Sequence, residues 1–338
     1  GGQTYTGYAR IKNVEFYHTG QEGWNAFYDP RFSLAFVNTG DVSDAKPSKV
    51  ENNAFHDGFS PGIGVYGTNK LEIVNNIVHH TVGQGMVIEG SRNRLTRNLI
   101  ALSIWPGAYQ DRKEENSEKW EAALEIMDAT NIVLKDNVIA GAERIGLHLD
   151  GEPCPGADNP VDSWSGNVIH SALHGTHVYE DGLPECSMIS NFLIYKCYSY
   201  GVYFQSVASA VLNNVTSVDN GIGSFTSIIG PPSLSHQGKN KFVKIQDSFF
   251  VGRSAAFSCE DDVLDLSDDN IEIALALGGL GFPSKKGTAG GNIGISFPGF
   301  VSGFSASPHH PWDSHLAYPA LLGVTEVKGV TFSNFGEA

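Results

Sequence analysis

Short apolar runs broken by Asn and Gly recur along the whole chain. The segments RIKNVEF, VENNAF, IVNNIV, RLTRNLI, LKDNVIA, WSGNVIH, MISNFLI and VLNNVTS align on Asn13, Asn53, Asn76, Asn98, Asn137, Asn167, Asn191 and Asn214. The successive intervals are 40, 23, 22, 39, 30, 24 and 23 residues, so a unit of 22–24 residues carries inserts in some copies. Weaker copies around Ser248 and Gly329 extend the series to the end of the chain. A fixed period of this length marks stacked supersecondary units. Val- and Ile-rich units without a helical period fit one turn of a right-handed parallel β-helix, three short strands to a coil. The expectation is an all-β chain, a single domain over 1–338 with about nine to eleven coils. Inserted loops are expected at 17–49, 104–121, 154–163 and 221–241, with the longest at about 259–322.

Coils stack about 4.8 Å apart, so equivalent Asn residues lie one above the next at a corner of the coil. Asn tolerates the left-handed region, and its amide can bond the Asn of the neighbouring coil. Both properties give a reason for Asn at this place in the repeat.

Composition narrows the class of function. With 338 residues, 41% of them hydrophobic, the chain can bury a large core, and 39 glycines agree with many short strands and turns. The net charge of −15, with 22 Lys and Arg scattered along the chain, argues against nucleic acid as a partner and against direct membrane contact. Arg92, Arg94 and Arg144 remain local cations that an acidic polysaccharide could meet. The longest apolar run, IEIALALGGLGF at 271–282, is too short and Gly-rich to cross a bilayer. No Met precedes Met86, which is the pattern of a piece of a longer polypeptide with its signal and anchor elsewhere. Four cysteines without CxxC spacing and the sequon Asn214-Val-Thr216 fit an extracellular, glycosylated segment.

The strings EFYHTGQEGW (15–24), DPRFSLAF (29–36), AFHDGFSPGIGVYG (54–67), ALSIWPGAYQDRK (101–113), DGEPC (150–154) and DGLPEC (181–186) carry a more specific likeness. Together they resemble the parallel β-helix region of the fibrocystin and fibrocystin-L family. The same region is similar to cell-surface hyaluronidase proteins and their hyaluronan-binding relatives, where it follows a G8 domain that this chain lacks. The resemblance implies an ectodomain segment of a large extracellular or ciliary-surface protein, anchored in the membrane elsewhere. It implies no reaction. The stretch from about 259 to 322 departs most from the family pattern.

Strand alternation locates the candidate chemistry. Aligning GMVIE, ALEIM, GLHLD, GTHVY and GVYFQ puts Val87, Glu125, His148, His177 and Tyr203 in one outward column. Two residues on, a second column holds Glu89, Met127, Asp150, Tyr179 and Gln205, while Met86, Ile88, Leu124, Ile126, Leu147, Leu149 and Val178 point inward. Glu125, His148, Asp150 and His177 are the catalytic candidates, because carboxylates and imidazoles in adjacent coils are what polysaccharide cleavage uses. Glu89, Tyr179 and Tyr203 are the binding candidates. An acidic protein places such residues on any wet strand face, and the flanking Met127, His148 and Gln205 suggest open solvent, so a non-catalytic surface is the leading expectation.

DGEPC and DGLPEC close successive coils at one corner, so Cys154 and Cys186 are expected to form a disulfide. Cys197 and Cys259 are expected to be buried thiols. CEDDVLDLSDDN at 259–270 holds Asp265 and Asp268 among five aspartates but lacks a calcium-loop order, and HHPWDSH at 309–315 has no second ligand cluster, so no metal or other cofactor is expected. His56, His79 and His80 are expected to be turn residues bonding backbone. The charged segment 108–126 reads as a solvated excursion. The function expected is a structural or interaction module whose partners are other proteins or extracellular glycans. The alternative is a hyaluronidase-like or polysaccharide-binding module using the Glu125 face.

Overall fold

The computed structural model describes the backbone of residues 7–21, 31–104, 122–149, 164–180, 186–206, 209–230, 241–252, 254, 293–296, 320–321 and 323–335. All described elements are strands, arranged in three parallel sheets that the chain visits in rotation. The first sheet stacks ten short strands from Arg10–Lys12 to Val324–Lys328, and the second stacks ten from Glu15–Tyr17 to Thr331–Ser333. The third runs from Leu34–Asp41 to Ile293–Ser296, with Ala320–Leu321 added antiparallel to Ile222–Gly230. Ten coils therefore lie within the nine to eleven expected.

Three of the expected loops contain coil. Strand Leu34–Asp41, within 17–49, is the third strand of the first coil, and Ile222–Gly230, within 221–241, pairs with Tyr200–Ser206 in the third sheet. Strand Ile293–Ser296, inside 259–322, extends the third sheet further. These strands belong to the third sheet, and the alignment followed only the Asn at the corner between the first and second.

A three-residue strand can send only its middle side chain into the coil. In the first sheet Val50, Ile73, Leu95, Leu134 and Leu212 hold that place, and each is fully buried. In the second sheet it passes from Phe55 through Val78, Ile100 and Ile139 to Phe250. Together with the inward residues of the third sheet they form one continuous core along the axis. Each such buried side chain contributes about 1.5–3 kcal/mol.

The Asn repeat resolves into two adjacent columns with separate tasks. The corner between the first and second sheets needs one left-handed residue in every coil. Asn13, Asn52, Asn75, Arg97, Asp136, Gly166, Asn191, Asn214, Asp247 and Gly329 fill it, with φ from 49° to 72°. The next position faces inward, and there Asn53, Asn76, Asn98, Asn137 and Asn167 are buried with ordinary φ. Asn13, Asn191 and Asn214 thus belong to the left-handed column and not to the inner one. The correct equivalents in the inner column are Val14, Phe192 and Val215.

The inner column is a hydrogen-bond ladder. The Oδ1 of Asn98 accepts both the backbone N–H and the side-chain Nδ2 of Asn76 at 3.0 Å, and Asn76 Nδ2 also donates to Val50 O at 3.0 Å. Asn53, Asn98 and Asn137 repeat the pattern on Asn76, Asn137 and Asn167. The ladder matters because a corner N–H has left the strand pairing and is buried, where an unmet donor costs about 1–3 kcal/mol.

Asn98→Ala removes an acceptor from two donors of Asn76 and a donor from Ile73 O. It is expected to destabilise the fold by about 3–5 kcal/mol. Asn75→Ala, which asks Ala to hold a left-handed φ, should cost about 1 kcal/mol, and Asn75→Gly should be near neutral. Urea unfolding of the three variants checks this order.

Candidate functional site

The third sheet carries the residues that sequence alternation singled out. Register pairs Val87 with Glu125, Glu125 with His148, His148 with His177, His177 with Tyr203 and Tyr203 with Phe225. The outward column is therefore as expected. Its environment is not: Glu125 is 6% exposed, His177 1%, Tyr203 2% and Val87 0%. Most of the column is closed to water, with apolar groups packed at its two ends, while His148 stays partly exposed. Phe32 packs with Tyr66 and Val87 at one end, and Tyr200, Tyr203, Ile222 and Phe225 form a second apolar layer outside the coil at the other.

Within this layer Glu125 is held on both oxygens. Its Oε2 accepts the Ala122 N–H at 3.0 Å, and its Oε1 meets His148 Nδ1 in a short contact. The His148 and His177 rings lie 5.8 Å apart and tilted. His177 stacks flat on Tyr203 at 4.5 Å, and Tyr203 stacks on Phe225 at 5.3 Å. Centroid spacings near 5 Å follow from the coil rise, so a column of rings becomes a stack without further design.

Sequence alternation missed His174 and Tyr200. Ile145, His174, Tyr200 and Ile222 pair in a further column one place before a glycine in each coil. At Gly146 and Gly175 the backbone bends so tightly that an added Cβ would lie 2.5 Å from Ile169 Cγ2 or from Gly201 O. The bend interrupts the alternation and turns the preceding residue outward. His174 thereby reaches Tyr200, edge to face at 5.0 Å, and His177 at 5.9 Å. The recurring Gly ahead of each aligned strand was the available signal.

Of the other candidates, Glu89 is partly buried beside the column and pairs in register with Met127. Tyr179 lies in strand His174–Glu180, opposite Gln205. Asp150, Cys154, Cys259, Asp265, Asp268, the 309–315 histidines and all but the end of 108–126 lie outside the described residues, so the disulfide and calcium expectations fall there too. Cys186 opens strand Cys186–Ser190. Cys197 is a buried free thiol, its pKa pushed up to about 12 by burial. Asn214 is exposed, and its Nδ2 donates to Asn191 Oδ1 at 2.6 Å. No group of three or more His, Cys, Asp or Glu among the described residues is placed to hold a metal ion.

A second polar cluster stands on the second sheet near the first coils. Asp57 joins two imidazoles, His56 Nδ1 at 3.0 Å and His80 Nδ1 at 2.6 Å, and His56 Nε2 reaches Glu15 at 3.0 Å. His56 and His80 thus bond carboxylates, not the backbone expected of them. Hydrogen bonds from His56 and then His80 hold the Asp57 carboxyl down at about 2, and those to Asp57 and then Glu15 raise the His56 pKa above 6.5.

Comparison with known proteins now bears on the arrangement. Residues 2–176, half of the chain, match the family model described as the CEMIP beta-helix. The chain belongs to the CEMIP β-helix family. Human fibrocystin-L is 46% identical over 332 residues, covering 98% of this chain and 8% of that protein. Mouse fibrocystin-L is 43% identical with the same coverage, and dog fibrocystin is 30% identical over 335 residues, or 98% of this chain and 7% of that protein. The fibrocystin resemblance read from the sequence holds across nearly the whole chain. This CEMIP-type β-helix is a fibrocystin-like module spanning under a tenth of those relatives' length.

Two outcomes follow from the site. Glu125→Ala takes the Glu125 partner from His148 and from the Ala122 N–H, and is expected to cost about 2–4 kcal/mol against about 1 kcal/mol for Glu125→Gln, read by thermal unfolding. In the Asp57 cluster, the stability that His56 contributes is complete below pH 6.5 and fades as pH rises through its raised folded value. The Asp57 contribution is present above pH 3.8 and fades as pH falls towards about 2. NMR titration should place the His56 midpoint above 6.5 in the native chain, and lower in Asp57→Asn.

Proposed function

We propose that this β-helix is a non-catalytic structural and interaction module in the ectodomain of a larger membrane-anchored, cell-surface or ciliary-surface protein. Its partners are other proteins or extracellular glycans. The observation that carries this reading is the burial of the outward column. A glycosidase needs two carboxyls about 5–9.5 Å apart across a bound sugar, with the sugar between them. Glu125 instead spends one oxygen on a backbone N–H and the other on His148, and it is itself buried. The likeness to fibrocystin-L and fibrocystin supports the setting. The excess of negative charge favours partners that are neutral or basic.

The competing reading is a hyaluronidase-like module working through Glu125, His148, Asp150 and His177. Incubation with size-defined hyaluronan, followed by chromatography, separates the two. No shortening of the polymer is expected from the native chain. Shortening that disappears in Glu125→Gln, with folding unchanged by circular dichroism, would establish the enzyme and remove the scaffold reading.

A further inference from the structure

One coil departs from its neighbours at two linked places. The first outward column of the second sheet runs Ile77, Leu99, Val138, Val168, Leu193, Thr216 and Phe249, and Thr216 is its one hydroxyl. Two residues earlier, at the left-handed corner, the same coil has Asn214 with φ 52°. Asn214-Val215-Thr216 is thereby the single Asn-x-Ser/Thr sequence of the 338 residues. The other Asn residues of that corner lack the hydroxyl: Asn13, Asn52, Asn75 and Asn191 are followed two places on by Glu15, Ala54, Ile77 and Leu193.

The folded chain accommodates a sugar at this place. Asn214 is exposed, and Leu193 and Phe249, on either side of Thr216, are 36% and 40% exposed. Asn214 Nδ2 carries two hydrogens, and one can go on donating to Asn191 Oδ1, now at 2.6 Å, when the other is replaced. The attachment itself is another matter, because a transferase needs the amide and the hydroxyl of the sequon presented to it together. Val215, between them, is fully buried. The backbone is bonded to both neighbouring coils: Asn214 N–H donates to Gln246 O at 3.1 Å, Thr216 N–H to Phe192 O at 2.8 Å, and Phe249 N–H to Val215 O at 2.9 Å. Val215 N–H donates to Ser248 Oγ at 3.1 Å.

We propose that Asn214 is an N-glycosylation site, filled before strands Ser209–Asn213 and Thr216–Val218 dock and shut to the transferase afterwards. The proposal rests on the extracellular setting given above. In the transfer, Asn214 Nδ2 bonds to the anomeric carbon of the first sugar of a lipid pyrophosphate-linked oligosaccharide. The bond from that carbon to the pyrophosphate oxygen breaks, the oxygen leaves with the electron pair, and one amide proton passes to a base of the transferase. The glycan then stands on the corner between the first and second sheets as a bulky, solubilising group.

The 338-residue chain, secreted behind a leader by a glycosylating eukaryotic host, tests the site through its intact mass before and after peptide N-glycosidase. One glycan is expected, with Asn214 left as Asp after the glycosidase. Thr216→Val installs the residue type of the neighbouring coils, and is expected to keep the native circular dichroism and abolish the glycan. Should it misfold, Thr216→Ala replaces it. A native chain secreted without sugar, or a folded variant that keeps it, overturns the site. Because the leader is supplied, that failure does not bear on the extracellular setting.

A second arm tests the order of events. Unglycosylated chain made in bacteria is offered to purified transferase with lipid-linked oligosaccharide, either folded or held unfolded by Leu212→Asp with Ile245→Asp in the buried core. Should circular dichroism show that pair still folded, Ile73→Asp is added. The unfolded chain should accept the sugar at least about a hundredfold faster, since the folded one reacts only through rare openings. Equal rates overturn the claim that folding shuts the site.

Discussion

Everything in this molecule depends on keeping the backbone bonded as it turns the corner between the first and second sheets. Within a strand, N–H and C=O groups pair with the coils above and below. At the corner the chain changes direction, one residue must be left-handed, and the next N–H points into the core. The Asn76 amide solves this once, and its neighbours solve it again one coil away, because Oδ1 reaches the N–H of the preceding coil while Nδ2 reaches a carbonyl. Five such amides stacked in the interior fix the relative height of the coils. The three sheets then come into register, and with them every column of side chains.

Columns are what give this fold its chemistry. A residue type placed at one position in one coil lies about 5 Å from its equivalents, so rings stack and imidazoles meet carboxylates over long sequence distances. His177, Tyr203 and Phe225 form such a stack, and Glu125 meets His148 Nδ1 in a hydrogen bond by the same means. The same geometry builds the aliphatic strip on the second sheet. Whether a column stabilises the coil, binds a partner or faces water depends on what lies over it.

The chain belongs to the CEMIP β-helix family and matches 8% of the length of human fibrocystin-L. A stack of parallel coils resists bending because each coil is bonded to both neighbours along all three sheets. The outward columns of the second sheet from Ile77 to Phe249 and from His79 to Val251 carry no Asp, Glu, Lys or Arg. Rigidity and a patterned surface together suit a module that spaces and presents contacts.

Sequence alone was enough for the period, the all-β class, the coil count and the inward residues, since a 22–24-residue repeat and strand alternation are local properties. It also placed Glu125, His148, His177 and Tyr203 in one column. It did not separate the two Asn columns, because Asn serves a left-handed turn and a buried amide ladder equally well and only one residue divides them. His174 and Tyr200 escaped because the bend at Gly175 and Gly201 breaks the alternation that local reading relies on. The burial of Glu125 was decided by tertiary structure alone: alternation tells which way a side chain leaves its own strand, while solvent exposure depends on what distant parts of the chain lie over that face.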